Sequence, residues 1–193
     1  MDKLRKVLPP LVLIGLLLIA WWVAVLRTNS AIFPTPLQVV TGTRELIEDG
    51  TLWEHIGASL MRVGVGYALA VVLALPLGIW MGRVEAVYVA LNPVFQIMRP
   101  ISPIAWIPIA ILWFGVGNAS PIFLIFIASV FPLIVQTASS VHTIERRYLR
   151  AAENFGVSRL TVLRQVVFPA ILPQFIVGMR ISLGVGWLVV VAA

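Results

Sequence analysis

The chain has 193 residues, 60% of them hydrophobic and 11% charged, where an ordinary soluble domain carries about 25% charged residues. That composition excludes a self-contained water-soluble globule and makes lipid the solvent for much of the chain. The formal charge of +6 is scattered between apolar runs with no soluble module around it, so it argues against nucleic acid, and the absence of cysteine excludes disulfides and thiolate chemistry.

The first apolar run, about residues 8–26, follows a basic tail containing Lys3, Arg5 and Lys6. It reaches spanning length with no small-residue cleavage pattern after it, and so reads as a retained helix rather than a signal peptide. Pro9 and Pro10 fall in its first turn, where missing N–H groups cost least. Residues 27–54 are polar, with a net charge of −2, and the stretch 44–54 suits a short surface helix. The second span, about 56–81, contains Gly57, Gly64, Gly66, Ala68 and Gly78, small residues that permit close helix approach. Residues 86–116 are interrupted by Pro93, Pro100, Pro103 and Pro108 and read as one broken crossing. Its exposed backbone groups must be buried in protein or line a cavity. A turn at "GVGNASP" leads to the next span, 121–141, then a charged segment 142–165 and a fifth apolar run, 166–193.

The organisation is therefore an N-terminal helix and external loop, 1–54, followed by a core transmembrane domain, 55–193, carrying the loop 142–165. That loop holds five arginines against Glu145 and Glu153, a net charge of +3. Four crossings separate it from the basic N-terminal tail, so both can lie in the cytoplasm with the acidic 27–54 loop outside, as the positive-inside rule requires. His55 and His142 form no metal-ligand spacing, and there is no metal site. Trp21, Trp22 and Trp80 suit the membrane interface, while Trp106, Trp113 and Trp187 are either interfacial or packed in the bundle.

Within the charged loop, "IERRYLRAAEN" places Ile144, Tyr148, Ala151 and Ala152 on an apolar stripe. Gly156 can end that helix in the left-handed conformation. Ser158 is a candidate N-cap for a second helix, "RLTVLRQVVF", which bends into the membrane at Pro169. Two short helices joined at a glycine form a protruding element that a partner can push on. The alternative is a basic loop lying on anionic headgroups, but Ala151 and Ala152 favour insertion into a protein groove.

"RAAENFGVSRLTVLRQVVFP" resembles the cytoplasmic loop of ABC-importer permease subunits, whose pattern is E-A-A, three residues, G, nine residues, I, one residue, L-P. Ala151, Ala152, Gly156 and Pro169 match in register, Val166 and Phe168 are apolar replacements, and Arg150 stands where the pattern has glutamate. "RPISPIAWIPIAILWFGVGNASPIF" and "FPAILPQFIVGMRISLGVGWLVVVAA" resemble the nitrate/sulfonate/taurine/bicarbonate branch, so the likeness covers about residues 55–193. The resemblance implies an all-α polytopic helix bundle of the ABC-importer permease type in a bacterial plasma (inner) membrane, N-terminus cytoplasmic. Such permeases continue beyond the equivalent of "VVVAA", so the chain is expected to be truncated at its C-terminus.

The resemblance also implies the partners: cytoplasmic ABC ATPase subunits that bind ATP and Mg, a second permease subunit forming a homodimer, and an external or periplasmic substrate-binding protein. The chain itself is expected to bind no cofactor and to catalyse nothing, having no phosphate-binding loop and no nucleophile–base arrangement. A small anion, such as nitrate, bicarbonate or a sulfonate, is the expected cargo. Arg62, Arg99 and Arg180 lie in or near apolar spans, where a charge is costly and often functional. Arg99 adjoins the broken "RPISP" segment, and Ser102 there can contact solute or cap the following helix. Arg62 and Arg180 have an alternative as snorkelling side chains. A gradient-driven transporter or channel is the rival class, but no acidic residue lies clearly within a span to carry a coupling ion. An intramembrane enzyme lacks a catalytic constellation.

Overall fold

The computed structural model describes residues 2–28 and 33–192, and within them not the side chains of 2–7, 146, 149, 150 and 153. Every regular element among the described residues is helical. The chain divides into two compact units, Met1–Gly57 and Ala58–Ala193.

In the first unit, α1 (Asp2–Thr28) includes a stretch from Leu8 long and apolar enough to cross a membrane. The helix begins well before Pro9 and Pro10, so these prolines lie inside it rather than in its first turn. The carbonyls they leave unpaired are those of Arg5 and Lys6, at the polar end of the helix. The short surface helix expected over 44–54 sits earlier, as α2 (Pro36–Glu48). Its start is set by Thr35, whose Oγ1 accepts from the Gln38 N–H at 3.3 Å while Gln38 Oε1 accepts from the Thr35 N–H at 2.8 Å. This reciprocal cap, with Pro36 at the first helical position, outweighs the charge pattern that suggested a later helix.

Four long or paired elements follow. The helix α3 (Thr51–Arg83) takes in the segment expected as the second span and several residues on either side. Only Val84 separates it from α4 (Glu85–Met98). A break over residues 99–102 leads into a short 3-10 segment (Pro103–Trp106) and α5 (Ile107–Phe114), with a 90° bend between the two halves. The helix α6 (Ala119–His142) is the most enclosed of the long helices, with over half its spanning window buried.

Residues in contact along α6 give the directions of its neighbours. A side chain on Gly66 of α3 would meet the Ile122 carbonyl, one on Gly78 would meet Thr137, and one on Gly82 would meet Val141. Both numbers rise together, so α3 and α6 run parallel. Against α4 and α5 the order reverses. Tyr88 packs on His142 with ring centroids 4.4 Å apart, Phe95 on Phe131 at 5.9 Å, and Phe114 on Phe123 at 5.1 Å. Those partners span nearly all of α6, roughly 28 Å at 1.5 Å per residue, about a hydrocarbon thickness. A re-entrant loop would return to the end it entered, whereas this bent pair travels from one end of α6 to the other. The single broken crossing read from the prolines fits this path.

The close packing of α3 rests on one stripe: Gly66, Ala70, Ala74, Gly78 and Gly82, at strict four-residue intervals. Ala70 and Ala74 are fully buried, and a Cβ on Gly78 would stand 2.5 Å from that of Thr137. Lipid tails are as apolar as leucine, so helices here associate through such close contact rather than hydrophobic burial. Of the small residues singled out in the sequence, Gly66 and Gly78 belong to this stripe. Gly57 and Gly64 face open space and Ala68 is exposed, while Ala70, Ala74 and Gly82 complete it. Gly78→Leu is expected to cost about 3 kcal/mol or more through overpacking, whereas Gly64→Leu is tolerated. Thermal unfolding of the two variants in detergent measures the difference, and equal midpoints would refute the packing.

Candidate functional site

The charged loop starts with α7 (Arg146–Asn154), which ends at Gly156 with φ of +66°. The Val157 N–H donates to the Ala152 carbonyl at 3.1 Å, the long-range bond of a glycine-ended helix terminus. Any other L-residue in that left-handed conformation is strained. Ser158 then caps the next helix as expected, its Oγ accepting from the Thr161 N–H at 3.2 Å. That helix is not a separate short element. The residues Arg159–Val162 (α8), a π-helical turn Leu163–Val167 and α9 (Phe168–Ala192) run on as one helix through Ala192. Pro169 cannot donate to the preceding turn and its ring crowds a carbonyl there; the wide π-turn just before it accommodates both defects. The expected bend at Pro169 is therefore a local widening.

The apolar stripe of α7 divides between two faces. Ile144 and Ala152 pack on a core cluster of Val141, Val162, Val167 and Ile171. Ala151 is exposed, Tyr148 half exposed, and Phe155 is 85% exposed beside the glycine turn. A phenylalanine this open at a rigid turn is the most prominent feature of the loop, and sequence reasoning passed over it. The hint was its place between a helix end and a left-handed glycine, where a side chain has no neighbour to pack on. The Arg150 side chain lies outside the described residues. Pro169 is exposed at the start of α9.

Of the second set of candidates, Arg99 and Ser102 lie at the break in the α4–α5 pair. Arg99 follows α4, its N–H donating to the Phe95 carbonyl at 2.9 Å, and its exposed side chain borders a cavity of about 220 Å³. Phe131 and Pro132 of α6 and Ile181, Ser182 and Val185 of α9 form much of the remaining wall. Phe131 and Pro132 stand at the middle of α6, so the cavity lies at the mid-depth of the bundle. Ser102 immediately precedes the 3-10 segment, but its hydroxyl makes no capping hydrogen bond and it is not among the residues lining the cavity.

Depth separates the other two arginines. The Arg62 Nε donates to Asn118 Oδ1 at 2.8 Å, bracing α3 against the start of α6. This bond gives Arg62 a structural partner at one end of the bundle. Arg180 has no ion pair among the described residues and is exposed midway along α9. Beside it, the Met179 carbonyl accepts from Tyr67 Oη at 2.7 Å and from Ser182 Oγ at 3.1 Å. A side chain on Gly178 of α9 would meet Gln136 and Leu133, near the middle of α6, so Arg180 stands close to that depth. Tyr67 and Ser182 were not singled out in the sequence; a hydroxyl in an apolar span needs a partner, and that requirement was the available signal.

The arrangement combines membrane-length helices, a helix broken at mid-depth beside an arginine, and a protruding loop with a glycine-ended helix. Residues 74–193 match the family described as binding-protein-dependent transport system inner membrane component. The chain belongs to that family.

The permease is 38% identical to the taurine transport system permease protein TauC of Escherichia coli (strain K12), over 93% of the chain and 68% of that relative. It is 35% identical to the nitrate import permease protein NrtB of Leptolyngbya laminosa, over 100% of the chain and 71% of that relative. Identity is also 35% with the bicarbonate transport system permease protein CmpB of Synechococcus elongatus (strain ATCC 33912 / PCC 7942 / FACHB-805), covering 100% and 73%. The chain is thus an all-α, multi-span membrane permease subunit of an ABC importer, and its family role is that of the membrane component rather than the ATPase.

Proposed function

We propose that the permease carries a small anion through a pathway at the Arg99 cavity, with a second permease subunit, a copy of this chain, completing the pore. Support comes from the break at mid-depth: Arg99 borders a cavity of about 220 Å³ where four helical elements meet and the α4 helix ends. Broken helices are tolerated at such depth only in protein or beside a water-filled cavity, and solute sites are commonly built there. The relatives named for taurine, nitrate and bicarbonate transport agree in taking small solutes that carry an anionic group.

The N-terminus and the charged loop lie in the cytoplasm of a bacterial inner membrane. Support comes from the count of four apolar crossings between the two basic segments, which agrees with the positive-inside rule. ATPase subunits, which bind ATP and Mg, dock on Ala151, Phe155 and the turn at Gly156. Ala152 backs that element against the core cluster, and Arg150 and Pro169 belong to the same coupling segment. A substrate-binding protein delivers solute to the opposite face. Closure of the ATPases moves α7, and the turn at Gly156 passes the motion into the continuous helix Arg159–Ala192. The division at 1–54 and 55–193 separates a membrane anchor and external helix from this working core.

Uptake by vesicles containing the permease with its ATPase and binding protein tests the pathway. Arg99→Gln is expected to lower anion uptake about tenfold while ATPase subunits still co-purify in full amount. Normal uptake by this variant would place the pathway elsewhere. Energisation by an ion gradient without ATP would restore the rival class of secondary transporter.

A further inference from the structure

A second and larger cavity, about 720 Å³, opens between the end of α3 and the α8–π segment, away from the Arg99 cavity. Three arginines border it: Arg83 from the last turn of α3, Arg159 from α8, and Arg164 from the π-turn. Among the described residues no acidic side chain lines it. The two ion pairs among the described residues, Arg44–Glu48 and Arg147–Glu145, lie elsewhere. Three like charges facing one cleft repel one another unless an anion sits between them, and the guanidinium fork is matched to phosphate.

The rest of the wall is hydrocarbon. Leu75, Ile79 and Phe168 line the cleft below the arginines, and Trp80 stands at its edge, a residue type favoured at membrane interfaces. Leu75 is eight residues before Arg83 on α3, roughly 12 Å deeper along the helix axis. The cleft thus runs from a cationic rim at the end of a spanning helix down into the apolar layer.

We infer that this cleft binds an anionic glycerophospholipid, its phosphate held by Arg83, Arg159 and Arg164 and an acyl chain laid along Leu75, Ile79 and Phe168. A free phosphate would leave the apolar wall uncovered. A soluble partner protein could meet the arginines but not reach Leu75 at membrane depth. A neutral phospholipid carries its own cation and leaves the guanidinium charge uncompensated. Basic clefts between membrane helices are suited to such headgroups. The lipid joins the end of α3 to the helical leg that leaves the charged loop, so it ties the loop to the bundle at a point distinct from Phe155. The site depends on the chain spanning a membrane and is independent of which solute is carried.

The test uses the full permease purified with its ATPase, stripped of lipid, incubated with phosphatidylglycerol or phosphatidylcholine, and weighed by native mass spectrometry. The expected result is retention of phosphatidylglycerol over phosphatidylcholine. The combined variant Arg83→Gln, Arg159→Gln, Arg164→Gln should reduce retention about a hundredfold, while the three lysine replacements keep most of it and Arg44→Gln changes nothing. Equal retention by the glutamine variant, equal binding of phosphatidylcholine, or displacement by soluble glycerol phosphate would each overturn the assignment. A photoreactive diazirine side chain at position 79, with all arginines intact, gives a reading free of folding effects. It should label phospholipid; labelling of protein alone would show that another chain fills the cleft.

Discussion

Phe155→Ala is expected to strip the ATPase subunits from the permease, lowering their affinity about 30-fold and ATP-driven uptake with it. The side chain is 85% exposed, held on a turn whose backbone is fixed by the Val157 to Ala152 bond. A large aromatic displayed on a rigid turn loses little freedom on docking and removes considerable apolar area from water, the combination that makes an interface anchor. Gly156 supplies the turn itself. Gly156→Leu forces a branched side chain to φ of +66°, at a cost of about 1–2 kcal/mol, and redirects Phe155. Gly156→Asn, which tolerates that conformation better, should fall between wild type and leucine. Co-purification of ATPase subunits with each variant, together with ATP-driven uptake in vesicles, measures the series. Full ATPase stoichiometry in Phe155→Ala would remove this residue from the docking surface.

If the proposed pathway at the Arg99 cavity extends past Ile181 and Ser182 to their neighbour Arg180, Arg180→Leu is expected to reduce anion uptake about tenfold without lowering thermal stability. A guanidinium at the centre of a membrane helix costs about 2.5–3.5 kcal/mol on insertion scales, and among the described residues no acid offsets it. Replacement by leucine removes that cost, so a lipid-facing arginine would give a more stable protein with normal transport. An arginine on the pathway gives the opposite pair of results in transport, because the anion loses its counter-charge. Uptake and unfolding measured on the same preparation separate the two. Normal uptake with a raised unfolding midpoint would assign Arg180 to the lipid face and remove it from the pathway.

The two arginines that looked alike in sequence, Arg62 and Arg180, part company in the fold. Arg62 is half-buried and bonded to Asn118, more than fifty positions away, and no local pattern announces that partner. Arg180 owes its interest to depth, which follows from the packing of α9 on the middle of α6 at Gly178. Arg99 was legible because the prolines around it break the helix whatever else happens. The loop was legible for the same reason: Gly156 and Ser158 act through their own backbone neighbourhood. Its outward face was not, since Ala151 and Ala152 differ only in whether the core cluster lies behind them.

Membrane residence, the long apolar runs, the broken crossing and the turn at Gly156 were determined by the sequence itself. Each depends on a short-range rule: lipid demands long unbroken apolar helices, proline lacks an N–H, and glycine alone takes a left-handed φ without strain. Tertiary structure alone decided which small residues form the α3 stripe, which arginine is braced and which stands open, and that Phe155 points away from the core. In lipid the two sides of a helix are almost equally apolar, so hydrophobic periodicity cannot tell a protein-facing residue from a lipid-facing one. Only the neighbouring helices, brought together from distant parts of the chain, make that distinction.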